Sequence, residues 1–201
     1  KKHLPIKFNI RDAGTLLGLV IIFLVFSFLS PVFFSVTNLL NILQQSSINA
    51  VIALGMTLVI ISAGIDLSVG PTAALSAIVG ATLMVSGVPV SVSILAAIGT
   101  GAICGLFNGV LIAYAGLQPF IVTLGGLSLY RALSLIYTGG NPIFGIPPEF
   151  RAFMNGTLFG IPSSILIVGA IALLLWLILT RTPLGEYIFA VGGNEEAARC
   201  Q

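Results

Sequence analysis

The feature that most constrains this chain is a succession of long apolar runs almost free of charge. A helix needs about 20 predominantly apolar residues to cross the hydrocarbon core of a bilayer. Residues 13–34, 90–114, 120–137 and 163–180 form runs of this kind, and residues 48–63 and 71–85 form shorter ones. Only 7% of the 201 residues are charged and 57% are apolar. A soluble domain carries about a quarter of its residues as Asp, Glu, Lys or Arg, so most of the outside of this molecule must face something other than water. Inside lipid every backbone N–H and C=O must bond within the protein, which makes the helix the natural form for each run. The expected fold class is an all-α polytopic membrane protein in which one transmembrane domain takes up the whole chain.

The first run follows Lys1, Lys2, Lys7 and Arg11. A signal peptide shares that basic start, but its apolar region is only about 7–15 residues long and is followed by a small-residue cleavage site. Here the run is longer and ends in Ser30-Pro31-Val32-Phe33-Phe34, which reads as an uncleaved span. Residues 35–47 carry Asn38, Asn41, Gln44 and Gln45 among leucines and isoleucines at helical spacing, the pattern of a helix lying at the membrane surface, or of a loop.

Between the two short runs lies Gly64-Ile65-Asp66-Leu67-Ser68-Val69-Gly70-Pro71. Short apolar segments interrupted by Gly and Pro are how transporters build broken or re-entrant helices. Ser86-Gly87-Val88-Pro89 reads as a tight turn. In the next run Gly101, Gly105 and Gly109 recur every four residues, on a face that another helix could approach closely. Gln118-Pro119 starts a further span, residues 138–162 form a polar loop with four prolines, and the last run leads into a charged part of the chain, residues 181–201.

The count is about six crossings. Lys and Arg favour the cytoplasmic side. An even number of spans puts the basic segment 1–12 on the same side as Arg181 and Arg199, with only Arg151 in the external loops. Both ends are therefore expected in the cytoplasm. The first residue is Lys and the last are Ala-Ala-Arg-Cys-Gln, so the chain reads as a truncated portion of a longer protein.

Inventory removes several function classes. Every lysine lies at position 7 or earlier, so no Gly-rich loop can end in the lysine that grips nucleotide phosphates. The single histidine, His3, precedes the spans, which leaves none for Ser-His catalysis or metal binding among them. Cys104 and Cys200 are too far apart in sequence to form a metal motif. There is no dense basic face for nucleic acid. The expectation is a chain with no catalytic residues, no metal and no bound cofactor.

Asp66 and Arg131 are the only acid and base in or near the apolar runs, and charges in such places are functional hypotheses by default. Asp66 either pairs with Arg131 or lines a solute path, or it lies at the cytoplasmic interface and caps a helix starting near Leu67. Arg131 alternatively snorkels from the end of its span. Asn49, Thr57, Ser68, Asn108 and Thr123 are further candidates for the path or for internal polar contacts. So little charge suits a neutral, hydroxyl-rich solute better than an ion.

At the far end, Gly192-Gly193 breaks the preceding element and Asn194 is a strong N-cap. Glu195 and Glu196 then suit the positive end of a helix dipole, and Ala197, Ala198 and Arg199 continue as helix formers. The product is a short helix on the cytoplasmic face, shaped for a groove on another protein or simply solvated.

These residues together resemble the permease subunits of bacterial ABC sugar importers of the ribose/allose/galactofuranose type. The resemblance runs through Asn38-Leu-Leu-Asn-Ile-Leu-Gln-Gln-Ser-Ser-Ile-Asn-Ala50, Gly55-Met-Thr-Leu-Val-Ile-Ile-Ser-Ala-Gly-Ile-Asp-Leu-Ser-Val-Gly70 and Gln118-Pro-Phe-Ile-Val-Thr-Leu-Gly125. It continues in Tyr137-Thr-Gly-Gly140 and Ala190-Val-Gly-Gly-Asn-Glu-Glu-Ala-Ala-Arg199. The resemblance implies a homodimeric permease in the bacterial inner membrane, working by alternating access with a cytoplasmic ATPase that uses ATP and a periplasmic sugar-binding protein. It also implies that residues 194–199 are the helix received by the ATPase. The rival classes are an ion-coupled carrier or channel, a membrane scaffold and, for want of catalytic groups the weakest, an intramembrane enzyme.

Overall fold

Pro31 and the residues around it end the first helix earlier than hydropathy suggests. The computed structural model describes residues 10–158, 160–194 and 198. Its contacts divide the chain into two units, residues 1–45 and residues 46–201. In the first, α1 (Ile10–Leu29) stops short of the expected residue 34, and residues 31–34 form a turn. That turn is held by rings: Phe33 meets Phe23 edge-on at 5.4 Å and stacks near Phe26 at 5.9 Å. Contacts of this geometry add about 0.5–1.5 kcal/mol beyond burial.

Ser35 then caps α2 (Val36–Ile61), its Oγ accepting the N–H of Asn38 at 3.2 Å. The Asn38 amide donates back to the Phe33 carbonyl at 2.8 Å. This corrects the expectation of a surface helix over residues 35–47 followed by a separate short span. The helix begins where expected but does not stop, because Asn, Gln and Ser interrupt hydropathy without interrupting helical backbone bonding.

In the second unit, α2 ends in a Schellman motif: the Ala63 N–H donates to the Ile60 carbonyl and the Gly64 N–H to the Val59 carbonyl. Residues 64–68 are irregular, and α3 (Val69–Val85) follows. α3 turns through Ser86 to Pro89 into α4 (Val90–Ala113), and the extended Gln118 leads into α5 (Pro119–Thr138) with Pro119 at its first position. The expected polar loop contains α6 (Pro148–Asn155) and a minimal hairpin, β1 (Thr157–Leu158) paired antiparallel with β2 (Ile161–Pro162). α7 (Ser163–Arg181) and α8 (Pro183–Gly193) complete the chain.

α2, α4, α5 and α7 are long and apolar enough to cross a membrane; α3 and the stretch Leu16–Leu29 of α1 are apolar but shorter. The burial pattern agrees with an apolar surrounding. Among the described residues the buried apolar side chains are Leu75, Met84, Cys104, Val122 and Tyr130. The buried polar ones are Ser47, Ser68, Ser93, Asn108, Thr123, Ser134 and Ser164. A water-soluble fold reverses that balance. Leucines, isoleucines and phenylalanines cover the outside instead, Leu106 and Ile103 on α4 and Trp176 on α7 among them.

The packed centre is α3, α4 and α5, each touching the other two. Small residues let them approach, as expected where lipid removes the hydrophobic drive between helices. A Cβ on Gly80 of α3 would stand 3.0 Å from the Ala97 Cβ, and one on Gly101 of α4 would stand 3.1 Å from the Ser76 Oγ. Within this chain Gly105 and Gly109 meet nothing within 4 Å. Of the expected glycine face only Gly101 packs against a neighbouring helix here. α7 packs on α8 and α6, and Arg181 places its guanidinium 6.0 Å from the Trp176 ring.

Candidate functional site

The break at 62–68 is where polar groups concentrate. Ser68, 1% exposed, donates both its backbone N–H and its hydroxyl to Asp66 Oδ1, at 2.7 and 2.6 Å. Asn108 of α4 donates from Nδ2 to the Ser68 Oγ at 2.9 Å. Tyr130 of α5 donates its hydroxyl to Asn108 Oδ1 at 2.8 Å and lies 3.0 Å from the Cys104 carbonyl. The bonds run one way, from the Tyr130 hydroxyl through the Asn108 amide and the Ser68 hydroxyl to the carboxylate. Each donor is polarised by the bond it accepts, so such a chain holds more firmly than its members taken singly.

The local sequence explains the geometry. Asp66 accepts from the residue two positions on, an Asx turn that Asp favours because its short side chain reaches its own backbone. The expected helix start near Leu67 shifts, since α3 starts at Val69 and its N-cap Ser68 makes no side-chain cap bond, but Asp66 accepts the backbone N–H of Ser68 as the expected cap would. The alternative pairing with Arg131 does not form, since the Asp66 bonds go to Ser68 and Arg131 lies exposed on α5. Thr123 Oγ1 bonds back to the Pro119 carbonyl at 2.8 Å and stands 3.3 Å from the Ile65 carbonyl, which seats the start of α5 against the break. Gly126 makes the close fit possible: a Cβ there would stand 3.2 Å from both Asn108 Oδ1 and the Ser68 Cβ.

Beside this chain of bonds lies a cavity of about 650 Å³. Asp66, Asn108 and Thr123 line it, together with Gly105 and Gly109, whose missing side chains leave the space open, and Gly192 of α8. Gly192 sits directly on the end of α2, where a Cβ would collide with the Ile61 carbonyl oxygen and stand 3.3 Å from the Ser62 Cα. The wall thus offers one carboxylate, the amides of Asn108 and Asn194, and hydroxyls, groups that solvate hydroxyls or water. Among the described residues no three of His, Cys, Asp and Glu gather. A second cavity of about 490 Å³ lies at the other end of α3 and α5, against Ala77, Ala81, Ser134 and Thr138.

Of the candidate path residues, the structure brings together Asp66, Ser68, Asn108 and Thr123. It leaves Asn49, Thr57 and Arg131 apart and exposed, the Thr57 hydroxyl bonding back to the Ala53 carbonyl. Tyr130 was missed by sequence reading. The signal was present: Thr123, Gly126, Tyr130 and Ser134 fall at helical spacing on one buried face of α5. At the far end α8 includes Gly192 and ends at Gly193, so the preceding element stops at the glycine pair as expected. Asn194 is extended, φ −162° and ψ 104°, and its carbonyl accepts the Ala198 N–H at 3.0 Å, as an N-cap's does. Glu195, Glu196, Ala197 and Arg199 of the expected docking helix lie outside the described residues.

Residues 38–201 match the family described as branched-chain amino acid transport system / permease component. The chain is 42% identical to the ribose import permease protein RbsC of Escherichia coli (strain K12) over 194 residues, covering 94% of this chain and 60% of that protein. It is 43% identical to the protein of the same name from Bacillus subtilis (strain 168), over 94% of this chain and 59% of the relative. With the D-allose transport system permease protein AlsC of Escherichia coli (strain K12) the identity is 39%, over 92% of this chain and 57% of the relative. The chain therefore spans about three-fifths of the length of these relatives. No solved structure matches it.

Proposed function

From the premise that this chain belongs to the family of branched-chain amino acid transport system permease components, we propose that it is the membrane-spanning permease portion of an ATP-driven sugar importer. The observation that carries the reading is identity of about two residues in five to ribose and allose permeases over nearly the whole chain. The polar break inside an apolar bundle supports it, since an irregular backbone at such a place is tolerated only where protein or a cavity satisfies it.

In this reading the permease lies in the bacterial inner membrane with about six crossings in the present chain and both ends cytoplasmic. It works as two copies, with a cytoplasmic ATPase that binds and hydrolyses ATP and a periplasmic sugar-binding protein. Residues 194–199 form the helix that the ATPase receives, and ATPase closure shifts the permease between outward- and inward-facing states. Asp66, Ser68, Asn108 and Thr123 serve as internal contacts that hold the break. Asn49, exposed on a span where a bare amide facing lipid is costly, faces the sugar passage or another helix of the assembly.

The test is uptake of labelled ribose or allose by the full-length permease in liposomes, with its ATPase and binding protein. Uptake that needs ATP and the binding protein is the expected result. Uptake driven by an ion gradient without the ATPase would overturn it in favour of a secondary carrier.

A further inference from the structure

We propose that Gly192 is the point through which the cytoplasmic end of the chain moves the break, by a backbone-to-backbone contact on the last turn of α2. The inference rests on the transporter reading above and adds to it a positioning residue with a defined route.

Three observations carry it. Gly192 leaves no room for a Cβ against the Ile61 carbonyl and the Ser62 backbone, so α8 meets the end of α2 without a flexible side chain between them. A displacement of α8 therefore reaches Ser62 undamped. Next in the chain stands Ala63 at φ 58°, a non-glycine residue in the left-handed region, where strain of about 1–2 kcal/mol is typical. Strain at such a bend marks a segment held in place by its surroundings. Beyond the bend, Asp66 and Ser68 are locked to Asn108 and Tyr130, so motion of the segment passes into α4 and α5. The third observation is the space. The cavity lies between residues 62–66, the facing ends of α4 and α5, and residues 191–194, so the contact can shift without compressing a packed core.

Without the glycine a side chain would force α8 off the end of α2, and without the stiff bend the push would be absorbed. Residues 194–199 are the proposed ATPase contact, and Gly192 lies within one helical turn of them. The route from that contact to the buried bonds is thus Gly192, Ile61, Ala63, Asp66, Ser68, Asn108 and Tyr130.

The experiment uses the full-length permease assembled with its ATPase and binding protein, and reads sugar molecules moved per ATP hydrolysed. Gly169→Ala on α7 is the control, because a Cβ there meets nothing within 4 Å and the gain in helix propensity is the same. The expected result is an unchanged ratio for Gly169→Ala and a fall of about tenfold for Gly192→Ala, within the usual range of coupling between sites. If Gly192→Ala fails to assemble, Ala63→Gly decides. Glycine suits φ 58° and folds, so a lowered transport ratio in a more stable protein supports transmission through a stiff bend, and an unchanged ratio overturns it. A wild-type ratio in an assembled Gly192→Ala complex likewise overturns the proposal while leaving the transporter reading intact. Failure of the wild-type permease to engage an ATPase at all would instead remove the transporter reading on which the proposal rests.

Discussion

The two ends of α3 are built on opposite plans. At its C-terminal end the chain turns using only itself: Gly87 at φ 85° donates its N–H to the Met84 carbonyl, and Val88 donates to the Leu83 carbonyl. At its N-terminal end the chain is held by other helices, with Ser68 fixed between Asp66 and Asn108, and Asn108 in turn held by Tyr130. One end is a local turn that any isolated helix could make. The other exists only when α3, α4 and α5 are assembled. Stability at the first end is set by one residue's backbone, and at the second also by Asn108, forty positions away in sequence.

Substitutions separate the two plans. The largest effect is expected for Asn108→Leu, which removes the middle of the chain of bonds and leaves the Ser68 hydroxyl only Asp66 and the Tyr130 hydroxyl only the Cys104 carbonyl. The loss is about 2 kcal/mol, since two buried hydrogen bonds are removed and each contributes about 1 kcal/mol. Unfolding of the full-length protein by denaturing detergent in mixed micelles would measure it, and a loss under about 0.5 kcal/mol would break the comparison. Tyr130→Phe removes one donor and should cost about 1 kcal/mol. The pair Asn108→Leu and Tyr130→Phe should be strongly non-additive, whereas Asn108→Leu and Gly87→Ala should add within about 0.5 kcal/mol.

Gly87→Ala alone should cost about 1 kcal/mol, because its φ is one that L side chains rarely adopt although open space surrounds it. The smallest effect, and the one of opposite sign, is Ala63→Gly. It should stabilise by about 0.5–1 kcal/mol, since glycine reaches the left-handed region without steric cost. Measured on the same detergent scale, destabilisation by Ala63→Gly would show that the bend is unstrained.

The local plan was the legible one. Ser86-Gly87-Val88-Pro89 announced a turn, Gln118-Pro119 announced the start of α5, and three of the four long apolar helices, α4, α5 and α7, followed from hydropathy and length. The Gly64–Pro71 interruption was also visible, because Gly and Pro interrupt helices wherever they stand. What holds the interruption was not visible. Asp66 offered Arg131 as its one charged partner, but a serine two residues away was nearer, and hydrogen-bond partners outnumber charges. Tyr130 carried no signal in composition, only in its spacing with Thr123 and Gly126.

α2 misled for the converse reason. Asn38, Asn41, Gln44 and Gln45 lowered hydropathy enough to suggest a surface helix, yet a polar uncharged side chain does not end a helix. The glycines of α4 misled in part. Their spacing is that of a packing face, but Gly105 and Gly109 border a cavity in this chain, a distinction that depends on where the neighbouring helices stop.

The central claim is that this chain belongs to a machine driven by a separate ATPase, with the break and the end of α8 connecting the two. The most direct measurement is ATP hydrolysis by the full-length permease co-purified with the ATPase encoded beside it, with and without sugar-loaded binding protein. The account predicts a stable complex whose hydrolysis rises when one loaded binding protein is added, and loses that rise when Glu195 and Glu196 are both changed to Lys. A permease that forms no such complex, or a complex whose hydrolysis ignores the loaded binding protein, would contradict it.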